Sequence, residues 1–176
     1  MKRLAGTALL AALALPAAAQ HQPYAGQHER AIKALSADEV KQYLSGAGMG
    51  YAKSAELNRF PGPSHALELA DELRLTGEQR KAIRQLMDAH KAEARAIGAK
   101  LLDAERALEH LFRSGNVSQA ALAQAVAKAA SLEAEYRLSH LETHRRLRPL
   151  LSEEQVGRYD LLRGYGSAKS HGAHKH

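Results

Sequence analysis

Cysteine and tryptophan are both absent from this chain of 176 residues. Without a thiol there is no disulfide framework, no thiolate metal site and no cysteine nucleophile, so packing alone must hold the fold. Aromatic residues make up 5% of the sequence, too few for a base-stacking platform, and no arginine-rich arm is present, so nucleic acid is not expected as a partner. A glycine-rich phosphate loop, a nucleophile elbow and a metalloprotease helix motif are missing too. The carboxylate pairs Glu105/Glu109 and Glu133/Glu135 read as solvated helix faces rather than general acid–base pairs, and no enzymatic activity is expected. No run reads as a strand. Beyond the N-terminus no stretch reaches the roughly 18 apolar residues of a membrane span, so none is expected in the mature protein.

What is abundant is Ala, Leu, Glu, Lys, Arg and Gln, whose summed propensity points to an all-α fold. Met1-Lys2-Arg3, the apolar run Leu4 to Leu15 and the small-residue exit Pro16-Ala17-Ala18-Ala19 have the layout of a secretory signal peptide, expected over residues 1–19 with cleavage after Ala19. Loss of Lys2 and Arg3 takes the formal charge from +6 to +4, a mildly basic balance. Residues 20–35 read as a flexible lead-in and 36–165 as a single α-helical domain. Residues 166–176, small and polar with His171, His174 and His176, read as a disordered tail.

Within the domain, Ile83, Met87, His90, Ala94, Ile97, Leu101, Ala104, Leu108 and Leu111 recur every three or four positions, the spacing of one helix face. A second line holds Leu122, Val126, Ala129, Leu132, Tyr136, His140, Thr143 and Leu147. The break between them at Ser114-Gly115-Asn116 predicts an antiparallel helical hairpin. Leu75-Thr76-Gly77-Glu78-Gln79 opens the first helix as a capping box, with Thr76 accepting from the amide of Gln79 and the Gln79 side chain returning to the amide of Thr76. Leu151-Ser152-Glu153-Glu154-Gln155 repeats it with Ser152 and Gln155, and Leu151 is placed to staple against Val156. A partial version stands at Ser36-Ala37-Asp38-Glu39. Ser45 to Gly50 carries three glycines and breaks a short helix. Pro61-Gly62-Pro63 makes a rigid corner, after which Ser64 is expected to cap another short helix.

Two such pentapeptides separated by a helical hairpin, with His140-Leu141-Glu142-Thr143 shortly before Pro149, resemble the LTXXQ-motif family of periplasmic proteins, the Spy/CpxP-like group, over roughly residues 64–165. The resemblance implies an all-α protomer of about four helices, paired into a curved homodimer in the periplasm. Members include ATP-independent chaperones that hold unfolded proteins and adaptors of envelope-stress sensing, and related proteins sense or sequester heavy metals. The matched residues Thr76, Gln79, Ser152 and Gln155 carry over as helix caps. Ser152 in place of threonine and the modest net charge depart from the pattern.

In a hairpin turning near Gly115 and Asn116, facing residues have numbers that sum to about 231. His90 and His140 sum to 230, Met87 faces His144, and His140 and His144 are one helical turn apart. Met87, His90, His140 and His144 are therefore candidate metal ligands, with Glu93 or Glu142 as an oxygen donor and Zn(II), Ni(II), Co(II) or copper as the ion. The other reading makes His90 and His140 seam residues bonded to each other or to neighbours, with His144 at the surface. No cofactor is required under either. His65 is expected to cap or pack, and His110 lies off the apolar line. For a client-binding surface, Arg80, Arg84, Arg145 and Arg148, beside Lys81 and Arg146, are the candidate basic groups that steer unfolded or envelope proteins, with solubilising surface as the alternative.

Overall fold

The architecture rests on two helices whose ends are written in their own residues. In the computed structural model, which describes residues 23–165, α4 runs Gly77–Ser114 over 38 residues, a rod of about 57 Å at 1.5 Å per residue. The Thr76 hydroxyl accepts from the Gln79 amide at 3.1 Å while Gln79 Oε1 accepts from the Thr76 amide at 3.0 Å, so the box forms in full. Gly115, at φ +70°, closes the helix in the left-handed conformation glycine adopts without strain. The chain turns back, and Ser118 caps α5, Gln119–Leu147. A 3₁₀ turn at Arg148–Leu150 carries Pro149, after which the second full capping box, Ser152 with Gln155, opens α6, Glu153–Leu162. The expected fold-back is present, and α4 and α5 pack side by side. No helix among the described residues is long and apolar enough to cross a membrane.

Three shorter helices precede the hairpin: α1, Ala37–Ser45; α2, Lys53–Glu56; and α3, Pro63–Glu68. The described chain thus has six α-helices and no strand, two short helices beyond the four-helix expectation. The partial motif at Ser36 is a complete capping box with Glu39. Ser64 does not cap α3: Gly62 is the N-cap and Pro63 occupies the first helical position, where its fixed φ and missing N–H suit the helix start. Ser64 instead bonds Glu68.

Two apolar clusters hold these elements. At the base, α3 and α6 close over the ends of the hairpin, joining Leu73, Leu75, Ile83, Leu147, Val156 and Tyr159; the proposed staple partners Leu151 and Val156 both belong here. Farther along, Ile32, Tyr43, Ala94, Leu101, Leu102, Leu132 and Tyr136 form the second. Ile32 lies inside the stretch expected to be a lead-in; it is 4% exposed and packs with α1 against the hairpin. Val126, expected on the inward line, is 48% exposed, because near the turn the covered face of α5 runs through Leu122, Ala125 and Ala129 and Val126 stands to one side of it. Leu86 on one flank of the expected line, and Gly98 and Leu102 on the other, are buried on α4 as well. Between the clusters the seam turns polar, at His90 on one helix and Ser139, His140 and Thr143 on the other.

Candidate functional site

The hairpin register brings the expected histidines together. His140 Nδ1 lies 2.7 Å from His90 Nε2 and the rings meet edge to face with centroids 4.5 Å apart. The other nitrogen of His140, Nε2, is 3.0 Å from the carbonyl of Ala47. A carbonyl only accepts, so that nitrogen carries the hydrogen. Burial, followed by the neighbouring imidazoles, lowers the pKa of His140 to about 4, and burial, followed by His144 and Lys91, lowers that of His90 to about 4. Both rings are therefore neutral at neutral pH. In a neutral His140 with its hydrogen on Nε2, Nδ1 is a bare acceptor, and His90 donates to it from Nε2. His90 Nδ1 is left with a lone pair, buried and without a hydrogen-bond partner.

His144, one turn along α5, is not a surface residue; its side chain is 12% exposed. Its Nδ1 donates to the carbonyl of Phe60 at 2.8 Å, so in the neutral ring the free lone pair is on Nε2. The two histidines thus grip the segment between α1 and α3 at two carbonyls, Ala47 and Phe60, and Tyr136 adds a 2.7 Å bond to Ala47.

Met87, His90, His140 and His144 line a single cavity of about 660 Å³ between that segment and the hairpin. Its wall also holds Lys53, Lys91, Arg95, His65 and one carboxylate, Glu56. Sequence reasoning missed Glu56, since nothing local marks a residue whose role comes from contacts about a hundred positions away. Its Oε1 accepts from Tyr159 at 2.5 Å and from Tyr165 at 3.1 Å, while Oε2 is buried without a hydrogen-bond partner. Gly62 admits the loop here, because a Cβ would stand 3.0 Å from the His144 ring.

The oxygen donors named from sequence do not join the site. Glu142 is turned onto Arg145, with two bonds of 2.6 Å, and Glu93 is exposed. Among the described residues no three His, Asp or Glu side chains are grouped closely enough to hold a metal ion. The seam offers two imidazoles at bonding distance, a third nearby and a thioether. His65 packs beside Tyr159 and Glu56, His110 is exposed, and the tail histidines His171, His174 and His176 lie outside the described residues.

Most of the basic candidates have partners within the protein. Arg80 is partly buried, bonding the carbonyls of Ala70 and Leu75 and pairing with Asp71 at 2.7 Å. Arg145 pairs with Glu142, Arg148 with Glu153, and Arg84 is exposed with no ion pair among the described residues. A different surface has no internal partner. On α5 the buried residues Leu132, Tyr136, Ser139, Thr143 and Leu147 define one face. On the opposite face Ala123, Ala127, Ala130, Ala134 and Leu138 follow one another at helical spacing, all exposed, Leu138 at 63%. An amphipathic helix lying against its own core carries charge there; this one is apolar on both sides.

The two capping motifs also meet. Gln79 Nε2 donates to Gln155 Oε1 at 2.9 Å and Gln155 Nε2 donates to Gln79 Oε1 at 3.0 Å. The same amides reach across to the carbonyls of Leu150 and Leu73. Each glutamine thus caps its own helix and ties that helix to the other motif.

A family model described as LTXXQ motif family protein matches residues 64–163, a span that contains both boxes and the whole hairpin. No curated protein and no solved structure matches the chain.

Proposed function

The chain belongs to the LTXXQ motif family, and from that premise we propose that it is a periplasmic, ATP-independent chaperone or envelope-stress adaptor of the Spy/CpxP type, which binds proteins rather than transforming a substrate. The observation that carries this reading is the uncovered apolar face of α5, Ala123 to Leu138. Its small side chains let an extended apolar segment lie close to the helix, and Leu138 provides a larger contact. Arg137 flanks the stripe and attracts acidic client residues. Export rests on the charged, apolar and small-residue layout of residues 1–19, which lie outside the described structure. Pairing of two chains into a homodimer belongs to the same reading.

Suppression of aggregation of a chemically denatured client, followed by light scattering, tests it. Wild type is expected to suppress at stoichiometric amounts, and Leu138→Asp combined with Ala130→Asp to lose that effect while the fold is kept, its stability falling by about 1 kcal/mol through the lower helix propensity of two aspartates at exposed positions. No suppression by wild type, or full suppression by the double variant, refutes the assignment.

A second reading, a periplasmic metal buffer or sensor, is favoured by the bonded imidazole pair. His140 gives its outer N–H to a backbone carbonyl, as metal-ligating histidines do, and that bond fixes which nitrogen stays bare. Calorimetric titration of the full chain with Zn(II), Ni(II), Co(II) and copper is expected to show heat that His90→Gln removes. Heat lost only when the tail histidines are replaced counts against the seam.

A further inference from the structure

We propose that the ion taken by this seam is monovalent copper, held by the imidazoles of His90 and His140 and the thioether of Met87. The proposal rests on the metal reading above and names its ion and ligands.

Three features of the donor set select the ion. First, the ligands are neutral and one is soft: Met87 stands three residues before His90 on α4, on the same face, and lines the same cavity. Thioether sulfur favours Cu(I) over Zn(II), Ni(II) or Co(II). Second, borderline divalent ions want three or four nitrogen or oxygen donors, and no such trio of His, Asp or Glu is grouped here among the described residues. Cu(I) is stable with two or three ligands, which matches two nitrogens and a sulfur. Third, the charge of the wall opposes a dication. Lys53, Lys91 and Arg95 line the cavity against the single carboxylate of Glu56, one of whose oxygens is already bonded by Tyr159 and Tyr165. A divalent ion meets twice the repulsion of a monovalent one, and the one carboxylate of the wall, Glu56, is not grouped with the two imidazoles to offset it.

The geometry of the imidazole pair also sets what must move. His90 Nε2 and His140 Nδ1 now share one hydrogen across 2.7 Å. Shifting that hydrogen to His90 Nδ1, the atom without a partner, turns both facing nitrogens into lone-pair donors. Two nitrogens on a three-coordinate ion stand about 3.5 Å apart at bond lengths of about 2 Å and angles of about 120°, so the rings part by about 0.8 Å from their 2.7 Å contact. His140 keeps its bond to Ala47 throughout, which holds the ring in line.

The test titrates the full chain with Cu(I) under nitrogen against a coloured Cu(I) chelator, with Zn(II) calorimetry in parallel and circular dichroism to verify each fold. One equivalent of Cu(I) is expected to be withdrawn from the chelator. Met87→Leu and His90→Gln should each weaken Cu(I) binding about tenfold or more, at least the loss seen when an outer-shell partner is removed, and Met87→Leu should leave Zn(II) unchanged. X-ray absorption of the copper-loaded wild type should show a sulfur scatterer, which with no cysteine in the chain is a methionine, and Met87→Leu should remove it. A copper spectrum without sulfur in the wild type overturns the proposal even if Met87→Leu does not fold. Cu(I) affinity indifferent to Met87 also overturns it, while Zn(II) binding lost in His90→Gln keeps the broader metal reading alive. If neither ion's affinity responds to His90, both fall.

Discussion

Gly98 sits in the middle of α4, where alanine would ordinarily be worth about 1 kcal/mol more in a helix. The structure gives the reason for glycine. A Cβ there would stand 2.3 Å from the carbonyl oxygen of Tyr43 and 2.9 Å from its carbonyl carbon, so α1 approaches α4 through the missing side chain. The atoms in the way are backbone and cannot rotate aside. Gly98→Ala must therefore lift the end of α1 by about 1 Å, an overpacking cost of about 1–3 kcal/mol, with this backbone clash towards the upper end. That displacement strains the bonds Tyr136 and His140 make to Ala47, four residues on from Tyr43. Set against the gain in propensity, the net loss is about 1–2 kcal/mol. Gly157 in α6 is the matched control, since a Cβ there meets nothing within 4 Å. Gly157→Ala is expected to gain up to about 1 kcal/mol. Urea unfolding followed by far-UV circular dichroism measures both, and the two variants should move in opposite directions. If Gly98→Ala equals or exceeds wild type in stability, the close approach of α1 is wrong, and with it the wall of the cavity.

Three further outcomes follow from the same packing. Gln79→Ala and Gln155→Ala should each cost about 1 kcal/mol as lost helix caps, and because their amides bond each other the double variant should depart from additivity by about 0.5 kcal/mol or more in a double-mutant cycle. Leu132→Ala should cost about 2–5 kcal/mol, whereas Val126→Ala, at 48% exposure, should stay within about 0.5 kcal/mol of wild type in the same urea experiment. Stability should fall as the pH drops from 6.5 towards 4, because His90 and His140 titrate near 4 in the fold against 6.5 in the unfolded chain, which then binds more protons. The slope is at most about 1.4 kcal/mol per pH unit for each ring and less for His90, which keeps some solvent. His90→Gln should flatten the profile of urea midpoints against pH, and an unchanged profile would count against its buried neutral state.

The features legible in the sequence were those set by neighbours along the chain. Thr76 with Gln79 and Ser152 with Gln155 are three residues apart, so backbone geometry alone forms each box. The pairing of His90 with His140 was reachable because a hairpin turns two sequence numbers into one spatial coordinate once the turn is placed. What stayed hidden depends on how separate elements dock. Neither Glu56 beneath Tyr159 nor Gly98 beneath Tyr43 has a local signature. Gly98 could be noticed as a lone glycine in a helical pattern, which hints at close approach without naming the partner. Val126 fitted the apolar period and is exposed, since a period reports what a helix offers and not what arrives to cover it.

That distinction bears on how the family motif and the function divide the molecule. Both boxes lie at the base of the hairpin, where their glutamines bond one another and Leu75, Ile83, Leu147 and Val156 seal the joint. Fixing the two helices at that end sets their register, and register puts His90 against His140 about three turns above Gln155's partner Gln79, counting from the numbering of α4. A slip of one turn, about 5.4 Å, would carry the imidazoles out of bonding distance and would move Gly98 from under Tyr43. The motif residues touch neither the cavity nor the outer face of α5, yet both surfaces depend on them. Loosening the base through Gln79 and Gln155 is therefore expected to weaken the proposed metal uptake at the seam in proportion to lost register, while direct changes at Leu138 leave the seam untouched.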